Sequence, residues 1–574
     1  MHRLPRSLVL GAAVLTAMTL ALPAGADHGN ADEASPNMLH VANLPPPAEF
    51  LVCDRGSSAC FNSDLAFWEA GGLKGGFPHI LAQGNYEGFR LVDVSDPEDP
   101  QNISVVECRT NQGDVSFYQA KNRLLLIQSI EEPVSTPACA TATENPVVPG
   151  TNPVTGLPGL FRLKGHEGLR IFDVTSPEAP ELIAMVRTAC GSHTHTTIRD
   201  DRNQRGIVYV SSYPSGSRVT RREDLAALPE QPNCIPDHNK ISIVEIPDRA
   251  PETAHVLKEQ PLHADTAVWT ATGQGGSPVR GCHDITVFEF SDSRKVAGGA
   301  CLSEGQLWDV SDPANPTTNV PGEHSHIRNP FIDGPTPPMR GLFHTASFSW
   351  DGEVVLFTDE WGGGGLHGCD GPQDTRGNVW FYDNVSPGVE PVPLYGRFIT
   401  PRPQPAQEAC TMHNGNVIPT NEGYFGVSSA YQAGTSVFDF TGVEENEPIF
   451  LPFVPPGGLT PPPTVAREVA FFDAKAGGGP AGSGPQAIDD AWSSYWHNDY
   501  IFASSGLTSP ARPGARGLDV YLLLGQHGRL VDEPGVPAVT AGETDETPGV
   551  QQYRARKFRY QNPQTQEVFQ TVGR

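Results

Sequence analysis

The stretch GFRLVDVSDPEDPQNISVV, residues 88–106, returns as GLRIFDVTSPEAPELIAMV, residues 168–186. Each copy alternates β-branched or aromatic residues with others, reaches an acid, and then meets Ser or Thr and a proline. That is the pattern of a strand, a turn and a second strand. Weaker copies follow: KISIVEIPDRAPETAHVL from Lys240, GQLWDVSDPANP from Gly305, GNVWFYDNVSPGVEPVPL from Gly377 and GTSVFDFTG from Gly434. Their acids are Asp93, Asp173, Glu245, Asp309, Asp383 and Asp439, placed to accept backbone N–H groups of the turn. A seventh copy, RGLDVYLLL from Arg516, carries Leu522 instead.

Ahead of each copy lies another strand pair, such as HTASFSWDGEVVLFTDE with its Trp350-Asp351-Gly352 turn. Four strands per unit, repeated radially, predict an all-β fold, a seven-bladed β-propeller of four-stranded blades. The seventh unit supplies only three strands. The segment NMLHVANLP, from Asn37, has no local partner and is expected to complete the last blade and close the ring. A linear solenoid would instead need polar caps, and the sequence offers none.

Arg3 and Arg6, an apolar run from Leu8 to Leu22, and Ala24-Gly25-Ala26 have the layout of a secretory signal peptide. Residues 1–26 are expected to be removed near Ala26. The propeller is then expected to span 27–524, with 525–574 an extended or disordered tail ending in basic residues. No lipid-accepting cysteine or second apolar stretch appears, so a secreted, monomeric product without membrane insertion is expected. Ten cysteines, an even count, suit an oxidising compartment. Strand topology predicts the pairs 108 with 139, 190 with 234, and 282 with 301; Cys53 with Cys60 and Cys369 with Cys410 complete the set. A formal charge of -27 argues against nucleic-acid and anionic-membrane partners. It leaves a small molecule, or an extracellular protein or glycan, as the partner class.

The motifs GFRLVDVSDP, GSHTHTTIRD, CHDITV, FTDEWGGG and AGTSVFDF resemble those of the LVIVD-repeat family of secreted propellers, a resemblance covering nearly all of 37–524. It implies a fold far more than a reaction. More distantly, a propeller with histidines at its inner strands is similar to the selenium-binding-protein and methanethiol-oxidase group and to carotenoid oxygenases. That analogy implies a metal-dependent oxidoreductase.

The histidines carry the chemical content. His193 and His195 in GSHTHTTI, His283 in GCHDITV, His344 in FHTASF and His413 in MHNGNVI each fall at the start of an inner strand. Such starts converge on one mouth of a propeller's channel. Asp64 and Asp114 take the comparable places in blades one and two, and His497 lies a little further along its strand. Neutral imidazoles and carboxylates from separate strands are what Cu, Zn, Fe or Mn sites are built from, with Asp284 and Glu360 as candidates to orient an imidazole. The same residues also suit a polar channel satisfied by hydrogen bonds and water, or metal-free acid-base chemistry. His166, His238, His255, His263, His324, His326 and His367 read as loop residues. Insertions at 133–164, 214–239 and 362–376 join second to third strands and are expected to shape a binding face. There is no G-x-S-x-G, H-E-x-x-H, Walker or G-x-G-x-x-G pattern in a fitting context. Two functions remain: a metal or small-molecule site at the channel mouth supporting oxidative chemistry, and a non-catalytic extracellular binding or scaffold propeller.

Overall fold

Each repeat folds as a four-stranded antiparallel blade in the computed structural model, and seven blades close into a ring. The structure describes residues 32–51, 61–69, 77–134, 139, 147–151, 158–162, 166–214, 238–263, 280–290, 294–302, 304–317, 326–328, 342–360, 377–384, 392–402, 409–418, 423–447, 449, 462–474, 491–505, 516–524 and 565–566. The inner strands of blades 1 to 7 are Asn62–Glu69, Val115–Ala120, Thr194–Asp200, Asp284–Glu289, Phe343–Phe348, Gly415–Ile418 and Ser493–His497. The repeat motif supplies the third strand of each, as in Gly88–Asp93 of blade 1.

Blade 7 takes its outer strand from the other end of the chain. Met38–Leu44 pairs antiparallel with Leu518–Leu523, as the orphaned NMLHVANLP segment predicts. Buried Arg90 holds this closure from blade 1: its guanidinium donates to the carbonyls of Leu44 and Pro45 and to Gln83. Arg170, at the same place in the second copy, donates to the carbonyls of Cys108 and Arg109. The repeat therefore carries its own clamp onto the neighbouring chain.

Closure is also visible in the core, which is a set of clusters between adjacent blades. Phe89, Leu91, Phe117 and Leu126 join blades 1 and 2. Leu65, Phe67, Leu81, Tyr495, Phe502 and Val520 join blade 1 to blade 7. Among the described residues, seven such clusters serve seven blades. An open solenoid of seven units would have six, so the solenoid alternative fails on this point.

The turn acids act as expected in four copies: Asp93, Asp173, Asp309 and Asp439 accept the backbone N–H two residues on. Glu245, with a longer side chain, pairs with Arg205 at 2.6 Å instead. Cys108–Cys139 and Cys282–Cys301 form disulfides. Cys190 and Cys410 are disulfide-bonded to partners outside the described residues, where Cys53, Cys60, Cys234 and Cys369 also lie.

Four loop readings are corrected. His255 opens the outer strand of blade 3 and His326 that of blade 4. His166 opens the third strand of blade 2 and is buried, its Nε2 3.0 Å from the Leu169 carbonyl. His238 is buried beside Ser212. Both sit where an insertion rejoins its blade, which made them look like loop residues. Residues 1–26, expected to be a signal peptide, and tail residues 525–564 and 567–574 lie outside the described residues. Thr565–Gln566 adds in parallel to the channel-facing edge of blade 4. Among the described residues no helix is long and apolar enough to cross a membrane.

Candidate metal centre at the channel mouth

Inner strands all run the same way, so residues at their starts meet. His193 precedes the inner strand of blade 3, His283 that of blade 4, His344 lies second in that of blade 5, and His413 precedes that of blade 6. Their rings form an arc with successive centroid separations of 4.1, 3.9 and 3.9 Å. All four are buried.

Glu360 reaches into this arc from the end of the second strand of blade 5. Its Oε2 lies 3.9 Å from His283 Nε2 and its Oε1 3.6 Å from His413 Nε2. Ligand atoms of His283, His344 and Glu360 all fall within 4.8 Å of one another, forming a buried triad that could hold a metal ion. Tyr431 donates its hydroxyl to Glu360 Oε1 from a left-handed backbone (φ 44°), a conformation that costs energy and recurs at functional sites.

The electrostatics favour neutral donors. Burial, reinforced by neighbouring imidazoles, holds His283 and His344 well below the usual histidine range. Burial pushes His413 down to about 3. His413 Nδ1 lies 2.5 Å from the Trp492 carbonyl, which fixes the proton there and leaves the Nε2 lone pair facing Glu360. Burial pushes the Glu360 carboxyl up to about 8. The Nδ1 atoms of His283 and His344 are buried without a hydrogen-bond partner among the described residues. Neutral imidazoles, orphaned ring nitrogens and a carboxylate that burial disfavours form a donor set suited to Zn, Cu, Fe or Mn.

His193 stands at the edge of the arc. Gln112 Nε2 approaches its Nε2 at 3.2 Å, and Glu131 Oε1 lies 3.1 Å from its Nδ1. His195 stands apart: its nitrogens are each 2.7 Å from a serine hydroxyl, Ser116 and Ser129, and its backbone N–H donates to Asp114. One residue along a strand reverses the side chain, so His193 and His195 share a direction but not a depth.

The aspartates lie in the channel near the arc. Asp64 accepts the Leu65 N–H and the Asn414 amide, while Asp284 accepts the Ile285 N–H and lies 3.3 Å from the Thr194 hydroxyl. Burial and the Asp114 charge push Asp64 up to about 8. Tyr495 is raised well above its ordinary range by burial and by Asp64, with Asp284 and Asp114 contributing. His497 is placed differently from the sequence expectation. It is the last residue of its strand, so it lies at the far end, with Glu69 and His79.

Sequence reasoning missed Glu131, Tyr213 and Tyr431, which surround the imidazoles. A signal existed: Tyr213, Glu360 and Tyr431 stand just beyond the end of a second strand, and Glu131 lies near the end of its own. Antiparallel pairing returns that point to the start of the inner strand.

No family model matches the chain, and no curated protein matches it. Solved structures match over much of the chain. A protein from Lactobacillus plantarum is 10% identical, with a TM-score of 0.38, covering 78% of this chain and 89% of its own. The β-propeller domain of Cps50 from Myceliophteria thermophila is 10% identical, with a TM-score of 0.36, covering 82% and 97%. A periplasmic gluconolactonase from Pseudomonas aeruginosa is 11% identical, with a TM-score of 0.37, covering 81% and 100%.

Proposed function

We propose that this chain is an exported propeller of the LVIVD-repeat kind whose channel mouth holds one transition-metal ion and performs oxidative chemistry on a small molecule. The observation that carries the reading is the arc of four buried imidazoles from four successive blades, with Glu360 between two of them. His283, His344 and Glu360 form the core of the donor set, His413 adds a fourth ligand, and His193 joins when Gln112 releases it. Any of the four ions would supply Lewis acidity, and Cu, Fe or Mn would also supply the second oxidation state that oxidative chemistry needs. Glu360 gives up its proton on binding a cation, and the Tyr431 hydroxyl keeps one carboxylate oxygen in place. Gln112 and Glu131 hold the His193 ring upright. Export is supported by the signal-like N-terminus and by the absence of a free cysteine among those described.

The test is elemental analysis of the purified full chain, with His283→Ala/His344→Ala beside it. About one equivalent of Cu, Zn, Fe or Mn that depends on these two histidines is expected, and Glu360→Gln should weaken retention by roughly 10–100-fold. Wild-type protein that binds no transition metal at the channel, even after reconstitution, overturns the reading. The binding or scaffold propeller then takes its place.

A further inference from the structure

A second cluster lies at the opposite end of the inner strands, on the seam where the ring closes. Glu69 ends the inner strand of blade 1, His79 opens the next strand, and His497 ends the inner strand of blade 7. One ligand atom from each lies within 4.8 Å of the other two. The His497 ring is buried and stacked on Phe67, with centroids 4.4 Å apart and planes at 16°. Its Nδ1 has no hydrogen-bond partner among the described residues.

Asn498 shows where the three donors point. Its Nδ2 lies 3.1 Å from Glu69 Oε1, 3.3 Å from His79 Nδ1 and 3.1 Å from His497 Nε2. An amide nitrogen carries two hydrogens and cannot satisfy three acceptors at once. The acceptors therefore converge on a point better matched by a cation than by an amide. Asn498 and Asp499 form a hairpin tip with left-handed backbones (φ 48° and 71°), so the amide is held over the cluster by the turn.

We infer that Glu69, His79 and His497 bind one Zn2+ ion, which staples the first blade to the last. Two imidazoles and a carboxylate are a Zn2+ ligand set, and the fourth position remains for water. His79 and Asn498 are only partly buried, which leaves an entry path from the solvent. A staple here acts on the seam that the N-terminal strand also closes, so it stabilises the ring as a whole.

The experiment is Zn2+ titration calorimetry on the chelator-treated full chain and on His283→Ala/His344→Ala, which removes the channel site. One equivalent should still bind to that variant, and Zn2+ at a hundred times its Kd should raise the melting temperature by about 2–3 °C. Adding His79→Gln should weaken this binding at least tenfold. Should the channel variant not fold, His79→Gln alone is expected to remove one equivalent from the wild-type stoichiometry. Asn498→Gly, which suits the left-handed turn, should leave affinity unchanged or higher because the competing amide is gone. Zn2+ binding that ignores His79→Gln, or that disappears in Asn498→Gly, overturns the assignment. Loss of the channel metal alone leaves it standing.

Discussion

Asp64→Asn isolates the electrostatic cost built into the channel. Asp64 is buried, and burial together with the Asp114 charge raises its carboxyl from an ordinary 3.8 to about 8. In the unfolded chain the proton leaves near pH 4, whereas in the folded chain it stays. The native state thus binds more protons between these limits, and stability falls as pH rises through the window. One retained proton corresponds to about 1.4 kcal/mol per pH unit, whatever the exact upper pKa, so pH 5 to 7 costs about 3 kcal/mol. The amide of the variant cannot ionise and should not incur this loss.

The pocket can also accept the amide. Asn414 Nδ2 donates to Asp64 Oδ2 at 2.8 Å, and Asn414 Oδ1 is buried without a partner among the described residues. Turning the Asn414 amide over would present its Oδ1 to the new amide N–H, while the substituted side chain keeps an oxygen for the Leu65 N–H. Thermal unfolding of metal-free wild type and Asp64→Asn across pH 5 to 8 is the assay. Taking the expected propeller span 27–524, about 500 residues, as the unit that unfolds, 3 kcal/mol corresponds to about 3 °C. The melting-temperature difference should move by that amount in favour of the variant between pH 5 and 7. A difference independent of pH would refute the retained proton.

Deleting residues 37–45 should strip the outer strand from Leu518–Leu523 and remove the carbonyl acceptors of Arg90, exposing a sheet edge. Aggregation or a clearly lower melting temperature by light scattering and calorimetry is expected; a monomer of unchanged stability would disprove closure by this strand. His166 runs opposite to Asp64 in sign. Burial holds it down to about 3, so the native state binds fewer protons than the unfolded chain below about pH 6.5, and its contribution is lost as pH falls towards 3. His166→Gln should flatten the acid limb of the stability profile by up to about 1.4 kcal/mol per pH unit, and an unchanged limb would contradict the burial argument.

The ring was legible because a propeller repeats a whole supersecondary unit, so one copy at 88–106 predicts the others. Even the closing strand followed, since NMLHVANLP had no local partner. The imidazole arc was legible for the same reason: strand starts share a mouth. Its carboxylate was less so, because Glu360 sits in a different strand and reaches the site only through antiparallel pairing. His497 was placed at the wrong end because sequence gives the strand but not the residue at which it stops. His193 and His195 point the same way, two residues apart, and only packing of His195 against Ser116 and Ser129 separates their roles. Asn498, which locates the seam cluster, is an ordinary turn residue until the hairpin folds.

The two arcs of the channel bear on one another. Blades 3 to 6 contribute imidazoles, while Asp64 and Asp114 of blades 1 and 2 contribute carboxyls. A cation held by the imidazoles would stand inside the same low-dielectric channel, where its charge favours ionised carboxyls. Asp64 would then release its proton at a lower pH, and the stability loss between pH 5 and 7 would shrink. The advantage of Asp64→Asn should therefore be largest in chelator-treated protein and smaller after metal loading. Equal pH dependence with and without one bound equivalent would mean that the metal lies away from the arc, and would direct attention to the seam at Glu69, His79 and His497.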